Sequence, residues 1–267
     1  MQQEKVQAQK LWNKTPCGTG DYLKEHEYGS LAFFDEVRRH RYEVTDRWMP
    51  RTIDFGAARG KKLLEIGHGM GTDLLTFADN GAEVYGIDIT QEHHRLAKLN
   101  FELHGRNCTI KLCDAAKIDF PSNYFDMVYS HGVLHHTPDI EQCISEAHRV
   151  LKPGGKFVLA LYHTWSLPHL YMILRYGIGE GRLFKLGYSG LMASMEGGAD
   201  GLTIKPMVKT YSKRQVIRLL KDFPKVELRL AHSAVGNYAP IRRFFPESLE
   251  QWLDRRVGWY VIASATK

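Results

Sequence analysis

Two carboxylates, Glu65 and Asp88, stand on either side of three glycines set at every second position, Gly67-His68-Gly69-Met70-Gly71. The apolar run from Leu63 to Ile66 reads as a short buried strand leading into those glycines. A helix is expected from Thr72 to about Ala78, then a second strand from Glu83 to Ile87 with Asp88 at its end. Strand, glycine turn, helix, strand and carboxylate make half of a nucleotide-binding unit. The glycines let a ligand lie against bare backbone. A carboxylate about 20 residues past the first glycine can accept from both hydroxyls of a ribose. Five of the thirteen histidines, His68, His131, His135, His136 and His163, fall at or just beyond expected strand ends. A neutral imidazole near pH 7 is a natural base for a phenol, amine or thiol.

The spacing decides which kind of nucleotide. A dinucleotide fingerprint, G-x-G-x-x-G, needs glycine where Thr72 stands, and Asp73 at the helix start repels a pyrophosphate. The pattern present is E-x-G-x-G-x-G. With Glu65 and Asp88 it resembles the first two motifs of the class I S-adenosylmethionine (AdoMet)-dependent methyltransferases. Four blocks over about residues 60 to 163 carry the resemblance: LLEIGHGMGTD, GIDIT, KLCDAAKIDFPSNYFDMVYSHGVLHHTPD and RVLKPGGKFVLALYH. They are most similar to the branch that includes quinone-biosynthesis and other small-molecule methyltransferases. His68 departs from that family, where many members have a small residue or cysteine.

The resemblance implies an α/β, Rossmann-like fold: a seven-stranded, mostly parallel sheet with helices on both faces. The implied strand order is 3-2-1-4-5-7-6, with the seventh antiparallel. Carried over by position, Glu65 lies near the amino group of AdoMet, and Gly67, Gly69 and Gly71 lie under its methionine part and ribose. Asp88 takes the ribose hydroxyls, Ile89 packs on the adenine, and Asp114 accepts from the adenine amino group with Ala115 beside it. Ser130 and His131 border the methionine part, and His68 and Asp73 complete the expected cofactor set.

For catalysis the candidates are His136, His135, His131 and His163, with Tyr28, and Tyr22 near it, in an N-terminal segment that folds over the cofactor in related enzymes. A sulfonium already has a good leaving group, so alignment can supply most of the rate and a base can be dispensable. The G-V-L-H-H motif is shared by enzymes with different acceptors, which favours a structural role for His135 and His136. No metal is expected, since no helical H-E-x-x-H stands here. Acyl and phosphoryl transfer lack their motifs, a G-x-S-x-G elbow and a P-loop.

The elements that must hold these residues divide the chain into four parts. Residues 1–60 form an N-terminal lid or helical extension and 61–163 the AdoMet-binding core. Residues 164–210 form a helical insertion on the acceptor side, and 211–267 complete the sheet. Ser30 caps a helix to about Met49, with Phe34, Val37, Val44 and Trp48 at helical spacing and Arg41 interrupting that face. Thr90 caps another, and Thr137-Pro138-Asp139 opens a third. Lys152-Pro153-Gly154-Gly155 stops that helix and leads into a strand from Lys156 to Leu161. Ser212 and Gln215 make a capping box. Residues 236–256 are aromatic and basic with little pattern.

Composition sets the outer limits. The chain has 267 residues, 43% hydrophobic and 25% charged, which suits one large α/β domain or a core domain plus an insertion. No apolar run reaches the roughly 18 residues of a membrane span, and the first ten residues hold no apolar signal core. Four cysteines without metal or C-x-x-C spacing read as reduced, mostly buried and cytoplasmic. Net charge is +6, yet residues 61–160 hold 10 Lys/Arg against 13 Asp/Glu, so the basic excess sits in the flanks.

The expected function is in-line methyl transfer from AdoMet to a small-molecule acceptor, releasing S-adenosylhomocysteine. Aromatic and methionine side chains in 164–210 suit an apolar or flat acceptor. Trp165 to Arg175 also reads as an interfacial helix meeting lipid, so peripheral lipid contact stands beside simple packing. Nucleic acid is not an expected partner, because no N-P-P-Y-type tetrapeptide follows the fourth strand. Two rivals remain open: a same-fold enzyme that cyclises the aminobutyryl arm of AdoMet, and a non-catalytic AdoMet-binding subunit.

Overall fold

The computed structural model describes residues 2–196, 204–235 and 246–267. Seven strands form one sheet: β1 (Lys62–Ile66), β2 (Glu83–Asp88), β3 (Thr109–Leu112), β4 (Phe125–His131), β5 (Leu151–Tyr162), β6 (Lys225–Ala231) and β7 (Tyr260–Thr266). Their order is 3-2-1-4-5-7-6. β7 runs antiparallel to β5 and β6, and the other neighbours pair in parallel. The architecture matches the one the motifs imply. On β1, Leu64 and Ile66 enter one apolar cluster and Leu63 the other, the period of two of a strand buried on both faces.

Helices α4 (Thr72–Asp79) and α5 (Gln91–Leu103) cover one face, and α6 (Ile140–Val150) and α9 (Lys213–Leu219) the other. The Ser212–Gln215 capping box forms as expected. The helix after His136 begins later than expected: Asp139 is its cap and Thr137-Pro138 precede it, behind a short turn at Leu134–His136. Lys152–Gly155 likewise belongs to β5, as a bulge. Pairing with β4 jumps from Phe125↔Leu151 to Met127↔Lys156, which the left-handed Gly154 (φ +78°) permits.

The N-terminal segment folds onto the carboxyl ends of the strands. Helix α1 (Gln2–Lys14), which no strong apolar pattern announced, buries Ala8 and Leu11. Gln9 donates to the Ile89 carbonyl at 2.9 Å, and Lys5 pairs with Asp114 at 2.8 Å and Asp139 at 3.1 Å. Asn13 accepts from the Glu92 N–H at 3.1 Å, capping α5, where Thr90 at the cap position makes no side-chain bond. Helix α2 (Leu31–Arg39) is capped by Ser30, as expected. It then widens into a π turn, His40–Thr45, and ends well short of Met49. The wider turn takes Val44 to the surface and brings Arg41 inward.

Helix α3 (Met49–Thr52) connects this segment to β1. After β5, α7 (Leu167–Met172) runs into a second π turn, Ile173–Ile178, followed by α8 (Arg182–Glu196). Glu247–Val257 is a helix within the stretch where no pattern was read. Residues 197–203 and 236–245, which fall in the insertion and in that stretch, lie outside the described residues. No helix among the described residues is long and apolar enough to cross a membrane. All four cysteines are free. Only Cys143 is buried, fewer than expected, because Cys17 stands on the exposed lid and Cys108 and Cys113 flank the edge strand β3.

Candidate active site

A cavity of about 430 Å³ lies at the carboxyl ends of β1 to β5, under α1 and the π turn that follows α2. At the end of β1, Glu65 is buried and its Oε2 meets no hydrogen-bond partner among the described residues. Burial pushes its carboxyl well above the usual range; Asp73 and Asp88 add to that, and Arg41 opposes it. The turn beyond it is left-handed at Gly67 and Gly69 (φ +75° and +55°). A Cβ on Gly67 would lie 2.4 Å from Val133, so this glycine serves the packing of the loop after β4. A Cβ on Gly69 would meet nothing within 4 Å, and the backbone there borders open cavity. Gly71 caps α4 against α5 and does not line the cavity.

His68 donates from Nδ1 to the Gly69 carbonyl at 2.8 Å, which leaves Nε2 as an acceptor, buried and without a partner among the described residues. Its ring occupies space that only a glycine at position 86 permits, since a Cβ there would lie 2.8 Å from the ring. Burial lowers its pKa, so it is a neutral acceptor at the cavity wall.

Asp88 accepts from the N–H groups of Thr90 at 2.8 Å and Gly69 at 3.1 Å and from His93 Nδ1 at 3.2 Å. Burial favours its neutral form, but His93, His68 and the Thr90 N–H together hold it well below the ordinary carboxylate range. The other ring nitrogen of His93 accepts from the Cys17 N–H at 3.1 Å, which fixes the Nδ1–H tautomer. One imidazole thus joins the lid backbone to the Asp88 carboxylate. No sequence signal marked His93.

Asp73 lines the cavity, yet its oxygens are all committed. Arg41 holds them bidentately at 2.7 and 2.8 Å, and the hydroxyls of Tyr42 and Tyr129 add bonds of 2.8 and 3.0 Å. Four donors fill the lone-pair positions of a carboxylate, so Asp73 anchors the lid and presents nothing to a ligand. Arg41 was missed as well as His93, though for Arg41 the signal was there: a cation interrupting an apolar helix face.

Arg41 also donates to His131 Nδ1 at 3.2 Å, so the proton of that imidazole sits on Nε2. Burial and the neighbouring guanidinium push the pKa of His131 down to about 4. His131 borders the cavity with its Nε2–H buried and without a partner among the described residues, and the lone pair a base would need is taken. His136 is arranged the other way. Its Nδ1 donates to the Met207 carbonyl at 2.8 Å and its Nε2 stands 4.0 Å from the Glu196 carboxylate. Trp12, Tyr162 and Tyr260 wall this end of the cavity, with the Trp12 ring edge-on to His136 at 5.9 Å.

The other candidate bases stay outside the cavity. His135 is fully buried against the Tyr162 ring at 3.8 Å, and His163 is buried with Nδ1 on the Gly258 carbonyl at 3.3 Å. Tyr28 is half exposed and bonds Glu92 at 2.8 Å, on the outer side of the lid. Ser130 is buried and donates across to the Ile66 carbonyl at 3.2 Å, tying β4 to β1. Ile89, Asp114, Ala115 and Tyr22 do line the cavity.

Residues 64–159 match a family described as a methyltransferase domain. The chain is 29% identical over 206 residues to the sterol 24-C-methyltransferase ERG6B of Gibberella zeae, covering 69% of this chain and 53% of that protein. It is 35% identical over 124 residues to a ubiquinone/menaquinone biosynthesis C-methyltransferase of Cupriavidus taiwanensis, covering 45% and 51%. Over residues 64–159 the chain is similar to methyltransferase domains, the class its motifs resemble. Its fold is shared with the phosphoethanolamine N-methyltransferase 2 of Haemonchus contortus, solved with phosphomonomethylethanolamine and S-adenosylhomocysteine. That likeness has a TM-score of 0.57 at 18% identity, over 92% of this chain and 60% of that one. The chain spans about half the length of the two sequence relatives.

The cavity of this methyltransferase domain fits AdoMet on its own evidence. The orphaned, buried Oε2 of Glu65 suits an ammonium group, whose charge would favour the ionised form that burial disfavours. Open backbone at Gly69, the acceptor on His68 and the carboxylate of Asp88 suit a ribose, and Ile89 and Ala115 give apolar walls for a flat base.

Proposed function

We propose that the protein transfers the methyl group of AdoMet to a small, apolar or flat acceptor. The observation that carries this reading is one cavity with two chemically distinct ends. Polar groups of β1 to β3 gather at one end, and aromatic rings with His136 and Glu196 at the other. In this reading Glu65 holds the AdoMet ammonium, Asp88 and His68 the ribose hydroxyls, and Asp114, Ile89 and Ala115 the adenine. Residues 1–60 act as the lid over them and 164–210 as the acceptor-side cap. The free thiols support a reducing compartment such as the cytoplasm. The named activities of the sterol and quinone-pathway relatives support an acceptor that is small and lipophilic, and lipid contact belongs to the same reading.

AdoMet, when bound, supplies an electrophilic methyl on a sulfonium whose leaving group is a neutral thioether. The protein's part is alignment and proton removal. His136 Nε2 takes the proton of the acceptor X–H group, and Glu196 beside it stabilises the imidazolium. Glu65, Asp88 and His68 would hold AdoMet, which would supply its methyl group to the freed electron pair of the acceptor and keep the carbon–sulfur pair on sulfur. His131, its lone pair held by Arg41, stays neutral and walls the acceptor's space.

The test uses methyl-labelled AdoMet and a small-molecule extract of the protein's own host. Label is expected in an organic-soluble product. For His136→Asn the rate should fall by about 10²-fold or more while AdoMet affinity, measured by calorimetry, holds. Label that appears only in precipitated macromolecules, or none transferred at all, would contradict the reading.

A further inference from the structure

We infer that the cap over residues 165–188 is a docking face for an anionic lipid surface. Among the described residues eighteen large apolar side chains stand exposed, and nine of them fall in these 24 residues. Trp165 is 75% exposed, Phe184 79% and Leu174 53%. Leu170 on α7 and Leu174 and Ile178 on its π turn are each more than half exposed, so the segment presents apolar side chains to solvent along its length. Pro168, His169 and Gly177, at other positions of the same helical segment, are buried. A concentration of exposed apolar side chains on one element marks an interaction surface.

Charge selects the occupant. The segment carries Arg175, Arg182 and Lys185 against the single acid Glu180, a net charge of +2. Glu180 sits between the two arginines at 2.9 and 2.7 Å. Exposed apolar side chains, a cationic flank and amphipathic Trp and Tyr rings are the make-up of a helix that lies in a lipid interface. A second copy would set the same cationic face against itself, which like charges oppose. The face lies next to the site in the chain, since the helical segment 182–196, kinked at Gly187, ends at Glu196 on the cavity wall. Docking therefore brings the aromatic end of the cavity to the phase where an apolar acceptor dissolves. That benefit rests on the proposed acceptor class; the docking itself rests on the exposed face.

The experiment is co-sedimentation with vesicles of phosphatidylcholine alone and with phosphatidylglycerol added, at low and high salt. Wild type is compared with the double variant Leu174→Glu/Phe184→Glu, with AdoMet binding as the check on folding. The expected result is sedimentation with the anionic vesicles, weakened by salt and about tenfold or more weaker in the variant, with AdoMet affinity unchanged. Equal sedimentation of variant and wild type, or none with either vesicle, overturns the inference. A wild-type dimer that the variant dissociates, without vesicle binding, overturns it too and assigns the face to a second copy. Vesicle binding that persists when no apolar compound is methylated supports docking and refutes the acceptor class instead.

Discussion

His131 and His136 stand at the same cavity with opposite chemistry, and the difference lies in what each Nδ1 touches. At His131 that nitrogen accepts from Arg41, while at His136 it donates to a carbonyl. Sequence position made both candidate bases; only the neighbours separate them, and those come from distant parts of the chain. The same holds for Asp73, which reads as a cofactor residue from its place beside the glycine turn and is spent on Arg41 instead. The pKa of His131 makes a stability prediction. It falls from an ordinary 6.5 to about 4 on folding, so the neutral form is the native one. Its contribution is complete above pH 6.5 and is lost as pH drops from 6.5 towards 4, on the order of 3 kcal/mol in all. His131→Asn keeps an acceptor for Arg41 and removes the titration. Urea midpoints at about pH 7 and pH 4.5 should therefore fall less in the variant, by about 2 kcal/mol. Parallel losses in variant and wild type would show that His131 does not titrate in this window.

At the scale of elements, the strands were the most legible part. β1, β2 and β4 are apolar runs ending in carboxylate, serine or histidine, and both faces of the sheet demand that pattern. Boundaries were less legible where geometry departs from the ideal period. The π turn at His40–Thr45 breaks the i, i+4 register, so Val44, expected on the buried face, is exposed and Arg41, read as an interruption, is the anchor. Helix α1 was hidden because it gains its order from hydrogen bonds and ion pairs to β2, β3 and α5, and only Ala8 and Leu11 supply buried apolar contact. Arg41→Met tests the anchor. It leaves Asp73 buried beside two hydroxyls without its cation, and denaturant unfolding should show a loss of about 3–5 kcal/mol. Adding Asp73→Leu should recover part of that loss. A cost below about 1 kcal/mol for the single variant would mean the pair is exposed enough to be screened.

For the whole molecule, the sheet order is the one the family resemblance implies, and it sets the carboxyl ends of β1 to β5 side by side. The closing of the cavity was not legible. It depends on contacts between residues 76 to 109 positions apart, such as Cys17 with His93 and Lys5 with Asp114, which no local pattern encodes. The N-terminal segment, the strand ends of the sheet and Glu196 of α8 converge on one space. The direct measurement is a calorimetric titration of the protein with AdoMet, in wild type and in Asp88→Ala. One AdoMet per chain is expected, weakened by roughly 1.5–3 kcal/mol in the variant, the scale of hydrogen bonds to a charged group. No binding in the wild type, or equal affinity in Asp88→Ala, would contradict it.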